Sequence, residues 1–410
     1  LAWNELGQET VAYGQKEGYC CRALMSRYDF QIPVTFKHRI VFTRDAFARG
    51  NPALAEILNE GGGRRAMVFV EEAVAASWPS LEKAVVAYFA ALDLDFRGIL
   101  VFPGGEAVKA DDRLLRQVWA AIDTAHLDRH SYVVVIGGGA FLDAVGYAAA
   151  TAHRGMRLVR FPTTTLSQDD SGVGVKCAIN AFGKKNWVGA FAVPYAVIND
   201  FSFLHSQDEE TRRGGLIEAV KVALVRDRGF FEWIEANLSA LAALEPATLE
   251  CCVEKSALLH AQHIAMGGDA FETGSSRPLD FGHWAAHKLE ALTSYQLSHA
   301  PAVAVGVALD TWYSARVGLL DRALADRVLR VLEGLGLQIY HPALDWLDDS
   351  GWRRVLDGLV EFREHLGGEL TVLLLQDVGL GVDVHHFDED LLGECIHELR
   401  KRWENSLKTF

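Results

Sequence analysis

Between residues 31 and 200 short β-rich runs alternate with helical stretches, and a chain with that alternation has few ways to fold. Runs over 34–42, 66–70, 98–102, 132–136 and 158–161 predict strands, and the stretches 80–92 and 111–125 predict helices between them. Strands joined through helices pair in parallel, so an α/β region with a parallel sheet is expected here. After Pro194 and the apolar run 196–200 the pattern changes to long helical periods through 209–265, 283–293, 301–335 and 387–406. A mainly α-helical second domain follows. The expected organisation is an N-terminal extension over 1–30, an α/β domain over 31–200 and a helical domain over 201–410. A cleft between the two domains is the natural place for a site.

Composition narrows the function classes. With 410 residues, half of them hydrophobic, the chain can bury a large core. A net charge of −14 argues against binding duplex nucleic acid or an anionic membrane, so a small anionic substrate needs a local basic pocket. No apolar run approaches the roughly 20 residues that span a bilayer, and the start lacks the charged-then-apolar order of a signal peptide. A cytoplasmic location is the expectation. The six cysteines include the adjacent pairs Cys20/Cys21 and Cys251/Cys252 and no CxxC, which predicts reduced, structural thiols.

Three segments carry chemistry. The strand at 132–136 runs into Gly137-Gly138-Gly139, and a helix with Asp143 in its first turn begins at Phe141. Such a turn lets backbone N–H groups and the positive helix end approach a pyrophosphate, although taken alone it can equally be a plain connector. Further on, Glu218 and Lys221 share a helix face at i, i+3, His283 and His287 lie one turn apart, and His299 opens another apolar helical run. One glutamate with histidines suits an open zinc site, whereas each alone reads as structural. Between the domains a polar, glycine-rich loop over 162–191 carries Lys176, Lys185 and Asn186, suited to phosphate oxygens, and Asp170, suited to a hydroxyl or a nicotinamide-side contact. A solvated charged loop is the bland alternative.

In order, GGGxxxD, RG, PTTxLxxxDxxxGxK, KN, ExxK, GHxxxH and a lone His resemble the 3-dehydroquinate synthase superfamily of sugar phosphate cyclases, over nearly the whole chain after residue 31. The resemblance implies an α/β N-terminal NAD-binding domain with a parallel sheet and a mainly α-helical C-terminal metal-binding domain. It implies Glu218, His283 and His299 as metal ligands, for zinc or cobalt. NAD+ contacts would fall at Glu71, Glu106, Lys109, Gly138, Gly139, Asp143, Thr163 and Thr164, with the PGGExxK segment at 103–109 supporting that placement. Asp170, Lys176, Lys185, Asn186, Lys221 and His287 would line the pocket of a small phosphorylated sugar. Arg154 would reach a phosphate in the neighbouring subunit's site, which implies a homodimer. In this family NAD+ takes a hydride and returns it, phosphate leaves by β-elimination, and ring opening and an aldol step close a carbocycle. Lys221 would assist proton transfer, and the leaving phosphate itself can act as the base.

Departures from the family pattern bear on the substrate. Where dehydroquinate synthases show RxxLNxGH, this chain has Ser276-Arg277-Pro278-Leu279-Asp280-Phe281-Gly282-His283, so the Arg position holds Ser276 and the Asn position Asp280, with Arg277 adjacent. The preceding pocket lysine is also replaced, with Gln262 nearest by spacing. Losing two cations and gaining a carboxylate disfavours a carboxylated substrate. The exchange resembles the cyclases that close sedoheptulose 7-phosphate into a C7 cyclitol, and retention of His287 resembles their 2-epi-valiolone synthase branch. Near the C-terminus Arg363 or His365 stands where the family has a phosphate-binding lysine. The rival readings are a dehydroquinate synthase, a metal-dependent NAD polyol dehydrogenase, which the loop lysines and ExxK speak against, and a non-catalytic relative, which would lack a core ligand.

Overall fold

The computed structural model describes residues 27–182, 184–267, 271, 278–365 and 370–408. In the described part of the 1–36 unit, Tyr28, Phe30, Ile32, Val34 and Phe36 alternate with polar residues and proline, and all five are exposed. Residues 37–410 pack as one compact unit.

Val133, Val134, Val135 and Ile136 are all fully buried, as expected of a strand covered on both faces. They belong to a six-stranded sheet of β1 (Ile40–Thr43), β2 (Arg65–Glu71), β3 (Asp95–Phe102), β4 (Tyr132–Gly137), β5 (Arg157–Pro162) and, later in the chain, Ala196–Asp200. Every pairing in this sheet is parallel. Helices α1 (Ala53–Gly61), α2 (Glu72–Ser77), α3 (Leu81–Ala90), α4 (Arg113–Thr124) and α5 (Gly139–Thr151) occupy the connections. With the last sheet strand numbered β8, the spatial order is β1-β8-β5-β4-β2-β3. The chain therefore leaves β2 towards one edge and β4 towards the other. Their carboxyl ends part at a topological switch point, where parallel sheets open a crevice.

Two expectations need correction here. The run at 34–42 is strand only from Ile40, and the segment before it belongs to neither a strand nor a helix. The supposed loop over 162–191 is largely ordered: a helical turn at Ser167–Ser171 leads into an antiparallel hairpin of β6 (Lys176–Ala181) and β7 (Lys184–Phe191).

The remaining helices are α6 (Glu209–Gly214), α7 (Leu216–Arg226), α8 (Arg228–Ala236), α9 (Leu238–Ala242), α10 (Pro246–Met266), α11 (His283–Leu292), α12 (His299–Arg316), α13 (Arg322–Gly334), α14 (Asp357–His365) and α15 (Glu389–Leu407). A two-stranded hairpin, β9 (Val372–Asp377) and β10 (Leu380–Val384), lies among them, which the sequence reading did not expect. α7 and α12 are apolar nearly all round and form the centre of this half. Among the described residues no helix is long and apolar enough to cross a membrane, and Cys177, Cys251, Cys252 and Cys395 are free thiols.

Candidate active site

Three helices bring the metal-type side chains together. α7 carries Glu218 and Lys221, α11 starts at His283, and α12 starts at His299. Ligand atoms of Glu218, His283 and His299 lie within 4.8 Å of one another, a span that an ion with bonds of about 2 Å can close. Their chemistry fits such an ion. Glu218 Oε1 is buried without a hydrogen-bond partner, and Oε2 meets the Lys221 ammonium. Burial, with Lys221 nearby, holds His283 far below the usual histidine range, so its imidazole is neutral as a ligand requires.

The start of α11 is clamped from below. Gly282 has φ 80° and sits against α12 so closely that a Cβ there would meet the Val307 nitrogen at 2.5 Å. Buried Asp310 on α12 accepts hydrogen bonds from Gly282 N at 3.0 Å and Trp284 Nε1 at 2.8 Å. Both donors flank His283.

Glu290, on α11 one turn beyond His287, was not anticipated from the sequence, although its i+3 and i+7 spacing from His287 and His283 places it on their face. It is buried, takes a hydrogen bond from Lys185 Nζ at 2.7 Å, and lies 3.3 Å from His299 Nδ1. Burial alone would raise its carboxyl, but the His299 and Lys185 contacts hold it at about 2. A carboxylate on the far nitrogen of a metal-type histidine fixes the tautomer and orientation of the ring. It also gives Lys185 a partner inside the protein.

Asp170 lies in the helical turn after β5 and pairs with His260 on α10, Nδ1 to Oδ1, at 2.7 Å. Burial opposes its charge, but Lys221 and then His260 outweigh that and carry it below the usual carboxylate range. Lys221 is likewise buried, and Glu218 and Asp170 overcome the burial and keep its ammonium charged. Next to Asp170, Asp169 is buried with neither carboxylate oxygen hydrogen-bonded, and burial with Glu218 nearby pushes it well up. A buried carboxyl without partners costs stability. Replacing Asp169 by alanine is therefore expected to raise the urea midpoint by about 1–3 kcal/mol of stability; a fall of that size would mean that Asp169 is satisfied by a bond of its own.

At the switch point Glu71, the last residue of β2, accepts from Gly105 N at 3.0 Å and Gly138 N at 2.6 Å and so joins the ends of three strands. Lys109 is buried between Asp143 Oδ2, at 2.7 Å, and Asn186 Oδ1. Asn180, which the sequence did not single out, bonds both Glu106 Oε1 at 3.0 Å and Asn186 N at 2.9 Å. Gly139 opens α5, and a Cβ there would meet Ser171 Oγ at 2.6 Å, so the backbone is bare on the side facing the crevice. That suits a pyrophosphate at the helix start.

One cleft of about 1740 Å³ runs from this turn to the histidines. All eight residues expected to contact NAD+ line it, as do His283, His299, Lys221, Asp170, His287, Asp280, Lys176, Lys185 and Asn186. The volume exceeds the roughly 300–1,000 Å³ typical of a single small-ligand pocket and has room for a dinucleotide beside a sugar. Arg154 does not join the cleft; it lies exposed on the turn after α5 with φ 62°. Arg277 and Ser276 lie outside the described residues, as does the side chain of His365, and Arg363 is exposed and does not line the cleft. Gln262 is exposed and does not line the cleft; His260, His263 and Ile264 are the α10 residues that do.

Comparison with known proteins agrees with this geometry. The family pattern described as 3-dehydroquinate synthase N-terminal matches residues 99–213, and the one described as 3-dehydroquinate synthase C-terminal matches residues 215–349. The 3-dehydroquinate synthase of Pseudomonas putida (strain W619) is 33% identical over 332 residues, 80% of this chain and 87% of that protein. That of Geobacillus thermodenitrificans (strain NG80-2) is 34% identical over 360 residues, 87% of this chain and 94% of the relative. Among solved structures ValA, a 2-epi-5-epi-valiolone synthase from Streptomyces hygroscopicus subsp. jinggangensis 5008 with NAD+ and Zn2+ bound, matches with a TM-score of 0.81 at 26% identity, over 92% of this chain and all of that one. The NADH-dependent butanol dehydrogenase A of Thermotoga maritima, at 12% identity and a TM-score of 0.63 over 90% of this chain and 98% of its own, shares the fold alone. Fold, cleft and sequence together place this chain in the 3-dehydroquinate synthase family, within the sugar phosphate cyclase superfamily.

Proposed function

We propose that this protein is a sedoheptulose 7-phosphate cyclase, forming a C7 cyclitol of the 2-epi-valiolone type or an epimer with loss of phosphate, and acting with NAD+ and a divalent metal. The observation that carries this reading is the charge at the metal end of the cleft. There Asp280 and two histidines of α10 line the wall where a carboxylated substrate needs cations, and the buried Lys221 is already engaged by Glu218. A substrate ending in a hydroxymethyl group meets no such conflict. ValA, whose name gives a valiolone-type product, supports the same direction; the names of the curated relatives support dehydroquinate synthase instead.

Glu218, His283 and His299 would hold the metal, zinc or cobalt, and the residues around Gly138 and Gly139 the dinucleotide. When bound, NAD+ supplies a transient hydride acceptor and the metal a Lewis acid. The chain's own residues do the rest. The ammonium of Lys221, kept charged beside Glu218 and Asp170, donates a hydrogen bond to a substrate hydroxyl oxygen and steadies the negative charge that develops there as its proton leaves. Lys176, Lys185 and Asn186 on the hairpin hold the phosphate, and Arg154 of a second copy completes that site in a homodimer.

Zinc-supplied enzyme with NAD+ is expected to release phosphate from sedoheptulose 7-phosphate and not from the carboxylated dehydroquinate precursor, with NMR of the product naming the epimer. Release from the precursor alone would make the protein a dehydroquinate synthase. Steady accumulation of NADH with polyols would make it a dehydrogenase.

A further inference from the structure

α10 packs along the cleft and His260 lines it, while Gln262, the residue that matches the family's lysine by spacing, is exposed and does not. Among the described residues His260 is held through one ring nitrogen, by Asp170. Its Nδ1 lies 2.7 Å from Asp170 Oδ1, and the two side chains are 14% and 22% exposed. A carboxylate that accepts from Nδ1–H fixes the tautomer, which leaves Nε2 as the ring atom able to accept a hydrogen bond. Because His260 lines the cleft, that acceptor is available to whatever the cleft binds.

The partner also settles what kind of group is recognised. A lysine at this wall would attract a carboxylate, whereas a histidine paired with the aspartate beside it adds no net positive charge to the wall and suits a neutral donor. His263, one turn further along α10, lies against Arg226 instead, so of the two cleft-facing histidines His260 is the one oriented by a carboxylate.

We propose that His260, oriented by Asp170, recognises a ring or chain hydroxyl of the substrate and is a specificity-determining residue of this cleft, selecting a polyhydroxylated sugar phosphate over a carboxylated one. The inference rests on the reading of the cleft as a sugar phosphate site and adds the residue that reads the hydroxyl. Asp170 acts in it as a positioning residue.

The test measures binding to the NAD+- and zinc-loaded enzyme of the phosphonate analogue of sedoheptulose 7-phosphate, whose C–P bond cannot break by elimination, and of its monodeoxy derivatives. His260→Ala is expected to weaken binding of the fully hydroxylated phosphonate by roughly tenfold or more, the loss of one buried hydrogen bond. It should leave metal content and NAD+ affinity unchanged, and His260→Gln should recover part of the loss. One monodeoxy phosphonate should bind wild type and His260→Ala equally, because the hydroxyl that His260 reads is missing from it. Should His260→Ala fail to fold, the same comparison is made with His260→Gln, for which a loss of a fewfold is expected. Wild type and variant binding the full set with the same ratios would overturn the inference while leaving the cyclase reading intact. Wild type that ignores the heptulose phosphonate and binds the carboxylated one would overturn the cyclase reading, and this inference with it.

Discussion

Replacing Glu218 by glutamine is expected to strip the protein of its metal and to cut turnover by about three orders of magnitude or more, on the order of 4 kcal/mol of barrier. The carboxylate is a buried acceptor with one oxygen otherwise unpartnered, brought within 4.8 Å of two imidazole nitrogens from two other helices. A glutamine keeps the shape and loses the charge that balances a divalent ion. It also leaves Lys221, buried beside it, with Asp170 as its main counter-charge. Metal content after dialysis and phosphate release are the two readings. Full stoichiometry and full turnover in Glu218→Gln would remove the metal assignment.

The second large effect is expected at Asp310, which touches neither the cleft nor any ligand. Asp310→Ala leaves the Gly282 N–H and the Trp284 indole N–H buried without acceptors, which costs about 2–5 kcal/mol. Since those donors bracket His283, metal affinity should fall with stability. The loss has a defined pH dependence. Burial pushes Asp310 up from 3.8 to about 7, so the folded state holds a proton that the unfolded chain has released. Its contribution to stability is therefore greatest below the ordinary carboxylate value and is lost as pH rises towards about 7. The gap between wild type and Asp310→Ala should be wider at pH 5 than at pH 8 in urea titrations. An equal gap at both values would mean that Asp310 titrates as an ordinary carboxyl.

Where a signal was local and periodic it could be read from the chain alone. The buried run at 132–136 announces a covered parallel strand because no polar residue interrupts it, and Glu218/Lys221 and His283/His287 announce shared faces because helix spacing is fixed. The hairpin β6–β7 was hidden because its glycines, lysines and asparagine mark a loop by composition, and the cross-strand partners that make it a sheet lie on separate runs. β9–β10 was hidden among helices, where Leu373, Leu374 and Leu375 fit either period. His260 carries no signal of its own, and Glu290 only its helical spacing from His283 and His287. Their meaning comes from Asp170, Lys185 and His299, which the fold brings to them from other elements, and a single sequence has no record of such pairings.

Among the described residues the β6–β7 hairpin pairs with no other strand, yet it bears Lys176, Lys185 and Asn186. The residues expected to grip the substrate thus sit on an appendage, anchored through Cys177 and Ile179, outside the six-stranded sheet. It is tied to the dinucleotide end all the same, through Asn186 to Lys109 and Asn180 to Glu106, so a change in how the hairpin grips a sugar is felt where the cofactor sits.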